Sequence, residues 1–196
     1  MRAPRRKVIS MRIIAGRWRG RALTPVGKGD PAHQLRPTTD RVRESLFNVI
    51  SGGRFGDPVE GAAVLDLFAG TGALGLEALS RGAREAVFVE SGRAGQKLIR
   101  ANLKLLGAPG RLAARDATKL GPAEIAAGLV FLDPPYGRDL GARALEAARA
   151  GGWIAPGALV VWEESAPQDA PGGFALLEQR RYGDTHVTFL EALEGA

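Results

Sequence analysis

The sequence contains no cysteine and only two histidines, His33 and His186. The lack of cysteine excludes a disulfide framework and any thiolate-bound zinc or iron–sulfur centre. Two histidines that lie far apart in the chain are too few for a typical histidine-based metal site, so we expect no bound metal. No apolar run approaches the ~20 residues of a membrane-spanning helix, and no signal-peptide core follows the basic start. These absences favour a cytoplasmic protein with no membrane partner.

The residues that are present suffice for one ordinary domain. The chain has 196 residues, of which 45% are hydrophobic and 24% are charged, close to the averages of globular chains. A chain of this length buries about 70% of its unfolded surface and forms one domain with room for a small appendage. No dimerisation element is evident, so we expect a monomer.

The positive charge is concentrated near the amino terminus. Residues 1–60 carry 13 Lys and Arg against 5 Asp and Glu, a net charge of +8, whereas residues 61–196 have a net charge of −2. Such asymmetry is typical of chains that bind a polyanion, most often nucleic acid. We therefore divide the chain into a flexible basic tail (1–10), a nucleic-acid-contacting part (11–60) and an α/β domain (61–196).

The nucleic-acid-contacting part begins with a segment that predicts two short strands. Residues 11–24 have glycines around a central turn and are typical of a β-hairpin. Three arginines recur at period two and would line one strand face, offering forked contacts to phosphates: Arg17, Arg19 and Arg21. A loop rich in proline and glycine follows over 25–37. A helix is then predicted over 41–50, with Thr39 or Asp40 as its cap.

From residue 62 onward, apolar strands alternate with amphipathic helices. We predict strands over 63–68, 86–90, 111–114, 128–132 and 158–163, helices over 72–80, 94–106 and 139–150, and a closing strand pair over 174–180 and 186–190. This alternation indicates a parallel sheet covered on both faces, and the closing pair indicates an antiparallel edge hairpin.

A glycine-rich turn follows the first of these strands. Gly70, Gly72 and Gly75 match G-x-G-x-x-G between a strand and a helix, which is the context that gives the motif meaning. Glu90 lies 20 residues after Gly70, at the end of the next strand, where a carboxylate can accept two ribose hydroxyls. The pattern predicts a nucleoside cofactor.

The acidic residues around this turn help to distinguish between two candidate cofactors. A nicotinamide dinucleotide would place its pyrophosphate at the helix start, whereas S-adenosylmethionine presents an ammonium, a sulfonium and a carboxylate. Asp66, at the strand end, suits positive charge and would repel a pyrophosphate. Asp116, which we place at the end of the third strand, could reach an adenine amino group; capping a helix is its alternative role.

The fourth strand is followed by Asp133-Pro134-Pro135-Tyr136. Ligands of such sheets bind beyond the carboxyl ends of the strands, so this tetrapeptide lies beside the cofactor site. The prolines stiffen the loop and lack N–H donors, which leaves carbonyl acceptors. Asp133 and the Pro134 carbonyl can both accept from an exocyclic amine and raise electron density on its nitrogen as it attacks a methyl group. Tyr136 can stack on a base, worth ~1–3 kcal/mol.

These motifs carry a family resemblance. The Asp133–Tyr136 tetrapeptide, with the run from Asp66 to Gly72, resembles the amino-group methyltransferases of the class I, S-adenosylmethionine-dependent fold. Blocks over 12–16, 18–21 and 35–48, with the turn at 182–185, are similar to the bacterial 16S ribosomal RNA guanine-N2 methyltransferases. The resemblance covers residues 11–191. Residues 1–10 and 27–33 depart from the pattern.

The resemblance implies a Rossmann-like α/β fold. We expect a seven-stranded, mostly parallel sheet with an antiparallel C-terminal edge pair, plus a small N-terminal β-hairpin and helix. The implied activity is methyl transfer to guanine N2 in 16S rRNA, on a small-subunit particle. The implied cofactor contacts are Asp66, Phe68, Gly70, Gly72, Glu90 and Asp116; the base contacts are Asp133, Pro134 and Tyr136; the RNA contacts add Arg36 and Arg41 to the three arginines above. A solvated helix face is the alternative for Arg41.

Three other functions stay open. A DNA adenine-N6 or cytosine-N4 methyltransferase uses the same Asp-Pro-Pro-Tyr chemistry, but the chain after residue 60 is occupied by the cofactor fold and leaves no segment for reading DNA sequence. A nicotinamide oxidoreductase would have no role for Asp66 or the tetrapeptide. A non-catalytic RNA-binding assembly factor would leave the cofactor site unused.

Overall fold

The computed structural model describes residues 11–26 and 40–194. In this part of the chain the helices are α1 (Asp40–Ile50), α2 (Ala73–Ser80), α3 (Arg93–Leu106) and α4 (Leu140–Ala150). The strands are β1 (Ala63–Leu67), β2 (Glu85–Val89), β3 (Gly110–Ala113), β4 (Ala127–Leu132), β5 (Ile154–Glu164), β6 (Phe174–Tyr182) and β7 (Thr185–Ala192). None of the described helices is long and apolar enough to cross a membrane.

All seven strands form one sheet in the order β3-β2-β1-β4-β5-β7-β6. The first five strands pair in parallel, and β7 pairs antiparallel with both β5 and β6. The seven-stranded, mostly parallel sheet and its antiparallel C-terminal pair are therefore confirmed. The strand order switches direction between β1 and β4, and such a switch point opens a crevice at the carboxyl ends of these strands.

The sheet separates two hydrophobic cores. Alternate residues of the central strands face opposite sides, so that Val64 and Phe131 lie in one core while Leu65 and Leu132 lie in the other. The first core is covered by α1, α2 and α3, and the second by α4. Phe47 of α1 packs on Phe131 with ring centroids 5.6 Å apart. The described residues before residue 60 therefore lie against the same sheet face as α2 and α3.

The predicted N-terminal hairpin forms as a short antiparallel pairing around the bridge between Arg12 and Ala22. The Ile13 N–H donates to the Arg21 carbonyl at 2.9 Å, and the Leu23 N–H donates to the Met11 carbonyl at 2.8 Å. A 3-10 turn over Gly16–Trp18 lies in the expected turn region. Arg17 and Trp18 therefore do not lie on a strand, and the alternating arginine face around Trp18 was a wrong prediction. Gly16, at φ +78°, lies so close to α2 that a Cβ there would be 1.9 Å from the Ser80 carbonyl oxygen. The segment thus pairs with itself and also docks on α2.

Several expectations lie outside the described residues. They concern the basic tail 1–10, the stretch 27–33, the capping residue Thr39, and the predicted RNA contact Arg36.

Candidate active site

The chain leaves β1 through a tight loop over residues 68–72, the glycine loop. Gly70 and Gly72 adopt positive φ, at 56° and 78°, and Phe68 does so as well, at 57°. A bulky residue in this conformation costs about 1–3 kcal/mol and is retained mainly in functional loops. The two glycines and Phe68, all predicted cofactor contacts, therefore form one sharply turned backbone segment at the start of α2.

Asp66 lies beneath the glycine loop. Its Oδ2 accepts a hydrogen bond of 2.9 Å from the Gly75 N–H in the first turn of α2, and the residue is 2% exposed. Burial raises the pKa of Asp66 to about 8, against the opposing effect of the Gly75 hydrogen bond, and the nearby Glu90 and Glu163 add to the rise. Asp66 thus fixes the start of α2 and holds a proton that an ordinary aspartate would release.

Glu90 joins the glycine loop to the start of α3. Its two carboxylate oxygens accept from the Gly70 N–H at 2.8 Å and from the Gly92 N–H at 2.6 Å. The packing around it is tight, since a Cβ on Gly95 would lie 2.8 Å from both the Gly70 carbonyl oxygen and the Glu90 Cγ. Each carboxylate oxygen has a second lone pair, so the group can still accept hydroxyls of a ligand.

Asp116 differs in position from the prediction that it ends the third strand. β3 ends at Ala113, and Asp116 precedes a 3-10 turn over Ala117–Lys119. Its Oδ1 accepts from the Thr118 N–H and hydroxyl, both at 2.8 Å, and these bonds lower the pKa of Asp116. The residue therefore caps this turn, which was the alternative role considered above, while it still lies at the carboxyl-end side of β3.

The Asp133–Tyr136 loop follows β4 directly. The Asp133 N–H donates to the Leu67 carbonyl of β1 at 3.4 Å, which places the loop beside the glycine loop. Asp133 is partly buried and Pro134 is buried. Burial raises the pKa of Asp133 well above its ordinary value, and the charges of Glu163, Asp66 and Glu164 act in the same direction.

Tyr136 ends this loop with its ring 38% exposed. Its hydroxyl is hydrogen-bonded to Thr185, the first residue of β7, and partial burial raises the phenol pKa. Thr185, one of the C-terminal residues that contributed to the family resemblance, thus contacts the Asp133–Tyr136 loop, which also contributed to it.

Glu163 was not among the predicted site residues. Leu132 of β4 is in register with Trp162 of β5, so Asp133 and Glu163 follow at the same level of the sheet. Glu163 is 2% exposed, and its charge is among those that raise the pKa values of Asp66 and Asp133. The sequence signal was an acidic pair at the end of a buried strand, where carboxylates are rarely placed without a function.

Four carboxylates therefore gather where β1, β2, β4 and β5 end, and we call them the anionic edge: Asp66, Glu90, Asp133 and Glu163. A group of carboxyl groups in a part-buried place ionises most readily around a cation, so it favours a cationic ligand and disfavours a phosphate. Over residues 11–26 and 40–194, no three or more metal-ligating side chains cluster in a way that could hold a metal ion.

The predicted RNA contacts Arg17, Arg19, Arg21 and Arg41 are exposed. Glu77 of α2 fixes the segment that bears the first three, because its carboxylate accepts from the Ile14 N–H at 2.8 Å and from the Ala15 N–H at 3.0 Å. Asn102 of α3 completes the attachment: it accepts from the Thr24 N–H at 2.8 Å and donates to the Thr71 carbonyl of the glycine loop at 3.1 Å. The arginine segment (residues 11–26) is therefore held next to the glycine loop.

Comparison with known proteins gives consistent results. A family model described as conserved hypothetical protein 95 matches residues 11–191. "Ribosomal RNA small subunit methyltransferase D" of Escherichia coli K12 is 40% identical over 164 residues, which is 82% of this chain and 78% of that protein. The protein of the same name from Haemophilus influenzae is 34% identical over 181 residues, 88% of this chain and 89% of its own length.

A solved structure agrees with these sequence matches. The Escherichia coli protein yhhF superposes with a TM-score of 0.79 at 36% identity, over 95% of this chain and 99% of that one. The glycine loop, the Asp133–Tyr136 loop and the arginine segment all lie within the region that the family model matches. The chain therefore belongs to the conserved hypothetical protein 95 family.

Proposed function

We propose that this protein transfers a methyl group from S-adenosylmethionine to the exocyclic N2 of a guanine in the 16S rRNA of the small ribosomal subunit. The observation that carries the proposal is the contact between two loops: the Asp133 N–H bonds to the Leu67 carbonyl next to the glycine loop. The glycine loop, which is typical of cofactor sites, and the Asp133–Tyr136 loop, which can accept from an amine, therefore lie side by side at one edge of the sheet. The relatives named small subunit methyltransferase support this substrate class.

The residues present fit this cofactor. S-adenosylmethionine supplies an electrophilic methyl group on a positively charged sulfur, and the anionic edge is the electrostatic environment that such a cation requires. Glu90 would accept ribose hydroxyls with the lone pairs that Gly70 and Gly92 leave free. Phe68 and the glycines would line the cofactor, Asp66 would hold the loop and add negative charge, and Asp116 would reach the adenine amino group.

The Asp133–Tyr136 loop would hold the base. An amino group conjugated to a purine ring is a poor nucleophile, and two acceptors on its protons raise the electron density on nitrogen. The Asp133 carboxyl and the Pro134 carbonyl are the acceptors, and the rigid prolines fix their direction. After N2 has gained the methyl group it loses a proton, which the Asp133 carboxylate is placed to accept. Tyr136 would stack on the base.

The base has to leave its helix before it can reach this loop, unless it is already single-stranded. The exposed arginines of residues 11–26, together with Arg41, would hold the neighbouring backbone while it does so. We infer that the acceptor is rRNA in a protein-bound particle, on which a loop or bulge presents the guanine, and that the enzyme acts in the cytoplasm as a monomer.

The direct test is methyl transfer from labelled S-adenosylmethionine to three acceptors in parallel: small subunits lacking the modification, naked 16S rRNA and duplex DNA. We expect N2-methylguanosine from the rRNA or subunit sample after nucleoside analysis. Label in the DNA would replace this proposal by DNA methylation. No label in any acceptor, with the cofactor bound, would favour a non-catalytic RNA-binding factor.

Two substitutions separate the roles of the loops. Asp133→Ala should abolish turnover and leave the calorimetric affinity for S-adenosylmethionine nearly unchanged, because the residue acts on the base. Glu90→Ala should instead weaken that affinity, because it removes the acceptor that also fixes Gly70. Turnover retained by Asp133→Ala would refute the role given to its carboxyl.

A further inference from the structure

Asn102 interrupts the buried apolar face of α3. The side chains that surround it on this face are Leu98, Ile99 and Leu106, and Asn102 itself is fully buried. A buried amide is costly unless its donor and its acceptor are both paired. A leucine would suit the core at this position, so the contacts of the amide have to explain its presence.

On one side, Asn102 contacts the middle of the glycine loop. Its Nδ2 donates to the Thr71 carbonyl at 3.1 Å. The N–H of the same peptide group belongs to Gly72, a predicted cofactor contact, and donates to the Ala69 carbonyl at 2.7 Å. Both polar atoms of the peptide that joins Thr71 to Gly72 are therefore held, and the orientation of this peptide is fixed at the place where we expect the cofactor.

On its other side, the same amide holds the arginine segment. Its Oδ1 accepts from the Thr24 N–H at 2.8 Å. The preceding residue, Leu23, donates its N–H to the Met11 carbonyl at 2.8 Å, so the two arms of the segment are paired at this point. Met11 also contacts the loop, because its Sδ accepts from the Thr71 hydroxyl at 3.9 Å. The paired arms of the arginine segment and the glycine loop are thus joined through one side chain.

A second attachment of the segment lies away from the loop. The Ser80 hydroxyl accepts from the Trp18 N–H at 3.0 Å and donates to the Ala15 carbonyl at 2.6 Å. Ser80 is the last residue of α2, whereas the loop precedes the first residue of this helix. The two ends of α2 are separated by about 10 Å at 1.5 Å per residue. Ser80 therefore anchors the same segment without holding the loop, which makes it a matched control for Asn102.

We propose that Asn102 is a positioning residue through which RNA bound by the arginine segment and cofactor bound by the glycine loop strengthen each other's binding. The loop contains Phe68 in a strained conformation, so any contact that favours the bound shape of the loop also favours the cofactor. A ligand that restrains the segment reduces the freedom that the loop loses when the cofactor binds, and the effect is reciprocal. This inference rests on the proposed function, from which it takes both ligands.

Hydrogen exchange of the wild-type protein is the first test, and it needs neither RNA nor turnover. The probe is S-adenosylhomocysteine, which methyl transfer leaves as its product, added to saturation as measured by calorimetry. We expect exchange of the Thr24 N–H to slow by about fivefold or more, because its acceptor is fixed by the loop. The Trp18 N–H, which is bonded to Ser80, should exchange at an unchanged rate. Equal slowing of both groups, or of neither, would overturn the inference.

Binding to variants is the second test. Equilibrium dialysis measures the affinity for labelled S-adenosylhomocysteine with and without small subunits that lack the modification. In the wild type the subunits should raise this affinity by about fivefold or more, and S-adenosylhomocysteine should raise the affinity for the subunits by the same factor. Asn102→Ala should lower the affinity in the absence of subunits by about three- to tenfold, as for loss of one hydrogen bond, and should abolish the effect of the subunits.

Ser80→Ala separates this role from a purely structural one. It removes two hydrogen bonds of the same segment and should lower the Tm, but it should keep the affinity for S-adenosylhomocysteine and the effect of the subunits. Loss of that effect in both variants alike, or its retention in Asn102→Ala, would overturn the inference. If Asn102→Ala does not fold, the hydrogen exchange of the wild type decides.

The two proposals fail in different ways. A protein that binds no S-adenosylhomocysteine would refute the proposed function, and this inference with it. A protein that binds S-adenosylhomocysteine and small subunits with no effect of either on the other would refute the role of Asn102 alone.

Discussion

Asp66 shows how the fold adjusts a single carboxyl group for a cationic ligand. Its pKa is raised to about 8, mainly by burial, so the group is largely protonated near neutral pH while no cation is present. A bound cation favours the ionised form, and binding is then coupled to the release of a proton. The same shift means that the folded chain binds more protons than the unfolded chain between pH ~4 and ~8, so this group lowers stability as the pH rises through that range.

We therefore predict that the affinity for S-adenosylmethionine increases with pH from 6 to 8, by up to about tenfold per pH unit for one linked proton, and then levels off. Calorimetry in buffers of different ionisation enthalpy measures both the affinity and the number of protons released. Asp66→Asn is the matched control and should flatten the profile. A profile with the same slope in that variant would assign the proton to another group, such as Asp133.

Site residues that belong to contiguous motifs were predictable from the sequence. Residues that reach the site only through the register between paired strands were not. The glycine loop and the Asp133–Tyr136 loop are each read from one stretch of sequence, because the local backbone dictates the residue types. Glu163 joins the site only because β5 pairs with β4 in one particular register. Asp116 was misplaced because β3 ends at Ala113, one residue before the predicted end, and Asp116 caps the 3-10 turn that follows. The positions of Glu163 and Asp116 both depend on how the strands pair, and strand pairing cannot be deduced from a single sequence.

The element that organises the N-terminal part is α2, whose eight residues are all buried. The Glu77 carboxylate receives the Ile14 and Ala15 N–H groups and forms an ion pair with Arg81 at 2.8 Å. The guanidinium of Arg43 from α1 lies 3.8 Å from the same carboxylate and is fully buried. One carboxylate thus joins α1, α2 and the arginine segment.

We predict that Glu77→Ala destabilises the protein by about 3–5 kcal/mol, the usual cost of leaving a buried charge without its partner, and releases the arginine segment from α2. Chemical unfolding measures the first effect, and faster trypsin cleavage within residues 11–26 measures the second. Glu85→Ala is the control: it breaks part-exposed ion pairs with Arg84 and Arg111, worth about 0–1 kcal/mol. If the two variants were equally stable, Glu77 would not be the anchor.

Most elements were predictable to within one or two residues, because buried parallel strands and amphipathic helices carry strong periodicity. β5 is the exception, since it begins at Ile154, four residues before the prediction. Pro156 and Gly157 interrupt the pattern there, and they lie where β5 shifts its register against β4, since Ala127 pairs with Ile154 but Leu129 pairs with Leu159. Such a bulge tolerates both residues. In α1 the buried face includes Arg43, which a hydrophobic stripe cannot indicate because its burial depends on Glu77.

At the scale of the whole molecule, opposite charges are segregated onto neighbouring surfaces. The arginine segment, docked on α2 and α3, presents Arg17, Arg19 and Arg21 to solvent, while the anionic edge lies at the ends of the strands. A polyanion is attracted to the first surface and repelled by the second. The arginine segment can therefore bind the RNA backbone beside the site, while the anionic edge admits only an uncharged base.

Salt dependence tests this division of surfaces. The logarithm of the RNA affinity should fall against the logarithm of salt concentration by ~0.9 per phosphate contact in a duplex and ~0.7 in a single strand. Replacing Arg17, Arg19 and Arg21 by Gln should therefore reduce the slope by roughly two to three in total, and the affinity for S-adenosylmethionine should not change. Arg84→Gln with Arg111→Gln removes two arginines that are ion-paired to Glu85 and Glu124 and should alter the slope little. An equal loss of slope per arginine removed in the two variants would mean that RNA senses only the net charge of the protein, and the arginine segment would then not be the RNA-binding surface.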